Sequence, residues 1–178
     1  MPVREALQRF TVARVLTVIS SRSIGIPALT VEKMLDLRRV RLEIEALAAD
    51  WAAARVTKTD LRELEDLVRS MKAAAQSGDR KQYVRLNRAF HFGIYAAAGS
   101  DVLLAIIENL WLQISPYFHL LHASGNYFKA NEQHELMLDG LRARDGALVR
   151  LGIRNDIEAA SRILAELLDA EGAVSAAT

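Results

Sequence analysis

The chain has 178 residues, of which 51% are hydrophobic and 25% charged, with a net charge of +1 and no cysteine. This length suffices for one substantial core, and the low content of glycine and proline favours a helical domain over a β-rich or disordered one. The absence of cysteine excludes disulfides and cysteine-ligated zinc. No apolar run reaches the roughly 18 residues that a bilayer span requires. We therefore expect a soluble, cytoplasmic, all-α protein.

The charge is unevenly distributed along the chain. Residues 1–28 carry a net charge of +3, because they contain four arginines and a single glutamate, whereas the rest of the chain carries −2. A basic segment on a slightly acidic body is typical of a nucleic-acid contact. Four arginines on a solvated surface would give the same charge, so the pattern indicates DNA binding without requiring it.

The first elements along the chain are a short helix and a hairpin. Residues 2–10 predict a helix with Pro2 in its first turn, where the missing N–H costs nothing. Residues 15–20 alternate β-branched side chains and predict a strand, and residues 24–29 predict a second strand after a turn. A helix followed by a small hairpin is the later part of a winged helix-turn-helix.

From Thr30 onward the apolar period is helical, and it predicts an antiparallel bundle of six to seven helices. The helix starts are marked by capping residues and the ends by glycine or proline. The predicted caps are Thr57 with Asp60, Asp79, Ser100 and Asp145, and the predicted ends are Gly78, Gly99 and Pro116. The inward face of the first long helix is predicted to be Leu37, Val40, Ile44, Leu47 and Trp51.

Four polar residues occupy positions on these helices where a hydrophobe is expected: Asn87, His91, His134 and Asp156. Asn87 and His91 are spaced i, i+4 and share a helix face, so the two side chains can grip one ion. A bundle brings ligands from separate helices together in its core. The set predicts a divalent metal site with open positions that a small carboxylate could fill. The alternatives are hydrogen-bonded core histidines, an Asp156–arginine pair and an Asn87 that bridges a water.

Two further histidines, His119 and His122, share a helix face but follow Pro116 close to a predicted loop at Gly125–Asn126. We interpret them as residues of a pocket rim or of the surface rather than as metal ligands.

Several short motifs occur along the chain: PVREAL at residues 2–7, Arg22–Ser23 in the wing turn, the Arg41/Glu45 pair, NRAFH at 87–91 with Tyr95 and Ala98–Gly99, and Glu132–Gln133–His134 followed by Asp145. Together they resemble the GntR family of bacterial transcription regulators, and more narrowly its FadR subfamily with an all-helical FCD effector domain. The resemblance covers nearly the whole chain.

The resemblance implies a metal, Zn, Ni or Mn, held by Asn87, His91, His134 and Asp156. The family typically uses one Asp or Asn and three His, so Asp156 stands at the third His position. Arg41 would clamp the carboxylate of a small organic acid, the alternative being an i, i+4 salt bridge with Glu45 on a solvated face.

The resemblance also implies a homodimer and places Arg4 on DNA, the alternative for Arg4 being an ordinary arginine on a helix surface. Arg14 stands where the family often has a glycine that closes the recognition helix.

We divide the chain into a partial winged helix-turn-helix at residues 1–28, an effector domain at 29–172 and a flexible tail at 173–178. The family has two further helices before PVREAL, whereas only Met1 precedes it here, so we expect residues 1–28 to be loosely held. The predicted function is a ligand-responsive, DNA-binding transcription regulator and not an enzyme. The alternatives are a metal- or ligand-binding or dimerisation module without DNA binding and, ranked last, a helical metalloenzyme that uses bound water for hydrolysis or decarboxylation.

Overall fold

A computed structural model describes residues 2–20, 23–118, 121 and 127–176, and describes only the backbone of residues 2, 127–129 and 170–176. Within this part of the chain, seven α-helices and one two-stranded sheet are present. The predicted all-α bundle behind a helix and a hairpin is confirmed. Arg22, His119, His122 and the predicted loop at Gly125–Asn126 lie outside the described residues.

The helices and strands are distributed along the whole described part of the chain. In chain order they are α1 (Pro2–Val12), β1 (Thr17–Ser20), β2 (Ser23–Gly25), α2 (Val31–Arg55), α3 (Lys58–Ser77), α4 (Arg80–Ala97), α5 (Asp101–Ile114), a 3₁₀ turn (Ser115–Tyr117), α6 (Tyr127–Ala143) and α7 (Gly146–Ala176). The division at residues 28 and 29 and the tail at 173–178 stay predictions. No helix among the described residues is long and apolar enough to cross a membrane.

The hairpin is antiparallel, with Val18 opposite Ile24. Its second strand ends at Gly25, so the prediction of a strand through residue 29 was wrong. Pro27 explains the difference, because proline has no N–H to donate to a strand ladder.

The end of α1 explains the residue type at position 14. Arg14 has φ 58°, and the N–H of Val15 bonds to the carbonyl of Phe10 at 2.9 Å. A left-handed residue with this 6→1 bond forms the usual C-terminal cap of a helix, and glycine adopts that conformation without strain. Arg14 therefore has the backbone geometry of a helix end, although it is not a glycine.

The predicted helix caps are present. Thr57 and Asp60 form a reciprocal capping box at the start of α3, and Gly78 closes that helix with φ 72°. Asp79, Ser100 and Asp145 each accept a hydrogen bond from a backbone N–H in the first turn of the following helix. These caps satisfy backbone donors that a helix start leaves without a partner, and they fix where each helix begins.

The bundle is arranged around α2, which packs against α4, α5 and α7, while α3–α4 and α6–α7 form antiparallel pairs. The face of α2 that points inward is rich in alanine: Ala46, Ala48, Ala49, Ala52 and Ala53 are all buried. Small side chains let the neighbouring helices approach α2 closely, and the larger hydrophobes of α3 to α7 fill the remaining core.

The predicted inward face of α2 was wrong in part. Leu37 is buried and Ile44 is half-buried, but Val40, Leu47 and Trp51 are 40%, 37% and 37% exposed. We call these three residues the outer stripe of α2. Apolar residues occur on more than one face of this helix, so periodicity alone selected the wrong one.

The inward face of α2 instead carries a buried ion pair. Arg41 and Glu45 are 6% and 0% exposed, and Arg41 Nε donates to Glu45 Oε1 at 2.6 Å. The predicted alternative for this pair placed it on a solvated face, and that placement was wrong. A buried charge without its partner is strongly destabilising, whereas replacing both charges by apolar groups is often tolerated.

We therefore expect Glu45→Leu to lower the free energy of unfolding by about 3–5 kcal/mol, because Arg41 is left buried without a counter-charge. The double variant Arg41→Met/Glu45→Leu should lose less than Glu45→Leu alone, as measured by urea unfolding. Asp66→Ala, which breaks the exposed pair of Asp66 with Arg69, serves as the control and should stay within about 0.5 kcal/mol of the wild type. A double variant less stable than Glu45→Leu would contradict the pairing.

Candidate metal centre and effector cavity

Three of the four predicted metal ligands meet in the core of the bundle. His91 comes from α4, His134 from α6 and Asp156 from α7, and one ligand atom of each lies within 4.8 Å of the others. His91 Nε2 is 3.4 Å from Asp156 Oδ2. Both histidines are buried, and the two imidazole rings stand edge to face with centroids 5.4 Å apart.

The hydrogen bonding of this cluster suits the binding of a cation. His91 Nε2 and both ring nitrogens of His134 are buried and have no hydrogen-bond partner among the described residues. Buried polar atoms are nearly always satisfied, and each one left unpaired costs about 1–3 kcal/mol. Two imidazoles and a carboxylate are also a donor set that divalent transition metals bind. The residues present therefore fit a divalent metal.

The protonation states also suit metal binding. Burial lowers the pKa of His134 to about 4, against the opposing effect of the Asp156 carboxylate. Its imidazole is therefore neutral near neutral pH, which is the form that binds a metal. Burial works to raise the pKa of Asp156, but the two histidines and Arg41 hold it below its usual range, so the carboxylate is charged.

A cavity of about 90 Å³ adjoins the cluster. Asp156 belongs to its wall, and so do Asn87 and Arg41. The apolar part of the wall includes Trp111, Phe118 and Ile163. Sites for drug-sized ligands occupy roughly 300 Å³ or more, so this cavity suits a small molecule. The fourth predicted ligand, Asn87, thus lies in the cavity wall one helical turn before His91.

Arg41 reaches the cavity while it is held by Glu45. Its guanidinium donates to both carboxylate oxygens, from Nε at 2.6 Å and from Nη2 at 3.4 Å, and lies 5.4 Å from the centroid of the Trp111 ring. Burial opposes the charged form, but Glu45 raises the pKa of Arg41 above its usual value. Arg41 is therefore a fixed positive charge that is paired with Glu45 and lies in the cavity wall.

Trp111 is a site residue that the sequence analysis missed. Its Nε1 donates to Glu45 Oε2 at 3.1 Å, and its ring packs 5.5 Å from that of His91. In the sequence it occurs in the apolar run of α5, where a core role is the ordinary expectation. The only available signal was its indole N–H, which needs an acceptor when it is buried.

The proposed DNA contact lies on another element. Arg4 is on α1, and its side chain is exposed, as is that of Arg9. Val3 and Phe10 of the same helix are exposed as well. This geometry leaves Arg4 available to an external partner.

Residues 36–159 match the FCD domain. The regulator McbR of Escherichia coli K12, named as an HTH-type transcriptional regulator, is 32% identical over 147 residues, which cover 81% of this chain and 66% of McbR. The E. coli K12 repressor GlaR is 24% identical over 156 residues, covering 82% of this chain and 70% of GlaR. The chain thus spans about two thirds of the length of these curated relatives.

Solved structures agree with the sequence relatives. The structure of E. coli McbR/YncC superposes with a TM-score of 0.86 at 28% identity and covers 92% of this chain and 83% of that chain. The Streptococcus agalactiae GntR structure, at 20% identity, has a TM-score of 0.62 over 90% of this chain and 80% of that one, which supports the fold alone. McbR and GlaR are named as transcription regulators, in agreement with the prediction that this chain is not an enzyme. The chain therefore belongs to the GntR family of transcription regulators, as a member with an FCD effector domain.

Proposed function

We propose that the chain is a ligand-responsive, DNA-binding transcription regulator that detects a small organic acid through a metal-containing effector pocket. The observation that carries the proposal is the position of the His91, His134 and Asp156 cluster beside a cavity that Arg41 also lines. A metal ion held by the cluster, together with the fixed cation of Arg41 in the adjoining cavity wall, would be complementary to a carboxylate.

In this proposal His91, His134 and Asp156 hold the ion, and Asn87 can add an amide oxygen from the same cavity. A bound Zn, Ni or Mn ion would supply positive charge and open coordination positions for a carboxylate. Arg41 orients the acid through the guanidinium N–H groups that Glu45 leaves free. The apolar wall around Trp111, Phe118 and Ile163 excludes water and limits the size of the acid.

The metal site is tested by elemental analysis of the purified chain. We expect about one Zn, Ni or Mn ion per chain in the wild type and a large loss in His134→Ala and Asp156→Ala, because each variant removes a ligand. Glu158→Ala is the matched control, since Glu158 is an exposed carboxylate on the same helix as Asp156, and it should retain the metal. Metal retained in Asp156→Ala would exclude Asp156 from the ligand set.

The acid site is tested on the same proteins by thermal melting with small carboxylic acids, acetate, lactate and malonate among them. A ligand that binds only the folded state raises the melting temperature as its concentration rises. We expect this rise in the metal-loaded wild type and its loss after treatment with a chelator. Equal shifts before and after chelation would show that the acids bind without the metal.

DNA contact by α1 is part of the proposal. It is supported by the family membership, by the net charge of +3 on residues 1–28 and by the exposure of Arg4. A phosphate contact by one arginine accounts for about one unit of the slope of log K against log salt.

We therefore expect Arg4→Ala to make that slope shallower by about one unit on a duplex of mixed sequence, as measured by fluorescence anisotropy. Arg69→Ala removes an arginine of the effector bundle that is similarly exposed, and it should leave the slope unchanged. Absence of DNA binding by the wild-type chain would favour the alternative of a ligand-binding or dimerisation module.

We also propose that the chain forms a homodimer through the outer stripe of α2. Val40, Leu47 and Trp51 lie on one side of that helix, and α5, which packs beside it, exposes Val102 and Ile106. Apolar side chains exposed along one face of a helix are typical of protein interfaces. In a dimer with a two-fold axis, the same surface of each copy faces its counterpart in the other copy.

The dimer is tested with Leu47→Glu, which would place two like charges near each other across the two-fold axis. We expect dissociation into monomers at concentrations where the wild type is dimeric, an affinity loss of at least about tenfold, measured by sedimentation equilibrium. Leu47→Met keeps the apolar surface and should remain dimeric. A wild-type chain that is monomeric, or a Leu47→Glu chain that is not, would contradict this interface.

A further inference from the structure

The hydroxyl of Tyr95 lies between the buried ion pair and the candidate metal cluster. It donates to Glu45 Oε2 at 2.5 Å and lies 3.2 Å from His91 Nδ1. Tyr95 and His91 are one turn apart on α4, and both are buried. The hydroxyl therefore connects a carboxylate on α2 with an imidazole that faces Asp156 on α7.

The direction of these two hydrogen bonds follows from counting hydrogens. A tyrosine hydroxyl has a single hydrogen to donate. Glu45 accepts at short distance and is already paired with the Arg41 guanidinium, so the Tyr95 hydrogen goes to this carboxylate. The oxygen of Tyr95 is then an acceptor toward His91. The hydrogen bond between Tyr95 and His91 therefore requires a proton on Nδ1 of the imidazole.

A proton on Nδ1 determines what the other nitrogen can do. In a neutral imidazole one nitrogen carries the hydrogen and the other presents a lone pair. His91 Nε2 is the nitrogen that faces Asp156 Oδ2 at 3.4 Å, and it is buried without a hydrogen-bond partner among the described residues. The lone pair thus points into the cluster, where a cation can accept it.

We propose that Tyr95, oriented by Glu45, is a positioning residue that selects the His91 tautomer with Nδ1 protonated and Nε2 free to bind the metal. This inference depends on the metal site of the proposed function. Partners of this kind, which contact a ligand rather than the ion, fix the tautomer and the ring orientation of a metal-binding histidine. The buried ion pair on α2 thereby contributes to the metal site although neither of its residues touches the ion.

The decisive variant is Tyr95→Phe, which keeps the ring and removes only the hydroxyl. We expect its affinity for Zn²⁺, measured by competition with a chelating dye, to fall about 10- to 100-fold. Tyr117→Phe is the control, because the Tyr117 hydroxyl donates to the carbonyl of Pro27 rather than to a site residue, and it should bind Zn²⁺ as the wild type does. Circular dichroism melts establish that each variant is folded at the temperature of the titration.

A second measurement needs no metal, and its main observation is made on the wild-type chain. In the metal-free wild-type chain at mildly alkaline pH, ¹⁵N NMR of the imidazole nitrogens should show the hydrogen of His91 on Nδ1, with the signal assigned by its loss in His91→Gln. In Tyr95→Phe the hydrogen should move to Nε2, toward Asp156.

The outcomes separate the two proposals. A wild-type chain that binds no Zn²⁺ overturns the proposed metal site, and this result is read from the wild type alone. A wild-type chain that binds Zn²⁺ while Tyr95→Phe binds it equally well overturns the positioning role. An Nδ1 without a hydrogen in the metal-free wild type overturns it as well.

Discussion

The carboxylate of Glu45 is the group on which the arrangement of the site depends. It is completely buried, and it accepts hydrogen bonds from Arg41 on its own helix, from Tyr95 on α4 and from Trp111 on α5. Removing a carboxylate from water costs several kcal/mol, and only good geometry with several donors compensates for it. The bundle therefore tolerates few positions of α4 and α5 relative to α2, since each donor has to reach one charge.

This constraint carries over to the candidate metal cluster. Tyr95 is fixed by Glu45, and His91 lies one turn away from Tyr95 on the same helix and bonds to its hydroxyl. The other two members of the cluster come from the α6–α7 pair, which packs against α2. Arg41 shares the same carboxylate and faces the same cavity. The residues that would hold a metal and the residue that would hold an acid are thus connected through one buried ion pair.

The packing around α2 also accounts for its exposed apolar side. Alanines occupy the inward face, which allows α4 and α7 to come close, and little space remains there for larger side chains. The larger Leu47 and Trp51 are consequently left on the outside. These side chains are therefore available to the second copy of the chain in the proposed dimer.

Local features of the fold could be predicted from the order of the residues. The capping box at Thr57 and Asp60, the left-handed end at Gly78 and the positions of His91, His134 and Asp156 on inward helix faces all agree with the structure. They depend on interactions within one or two helical turns, or on a period that repeats within one helix, and a sequence contains both. The resemblance to the GntR family reinforced these predictions through motifs of the same short range.

Features that depend on helices far apart in the chain could not be derived in this way. The inward face of α2 was misassigned because apolar residues lie on several of its sides, and the closeness of α4 and α7 selects the alanine face. In the sequence the Arg41–Glu45 pair has the spacing of an ordinary solvated i, i+4 pair. Only the folded bundle brings Tyr95 and Trp111 against it. Distant segments of the chain create the burial of each site residue, so this burial exists only once the helices have packed. The charge state and the hydrogen-bond direction of each site residue follow from that burial.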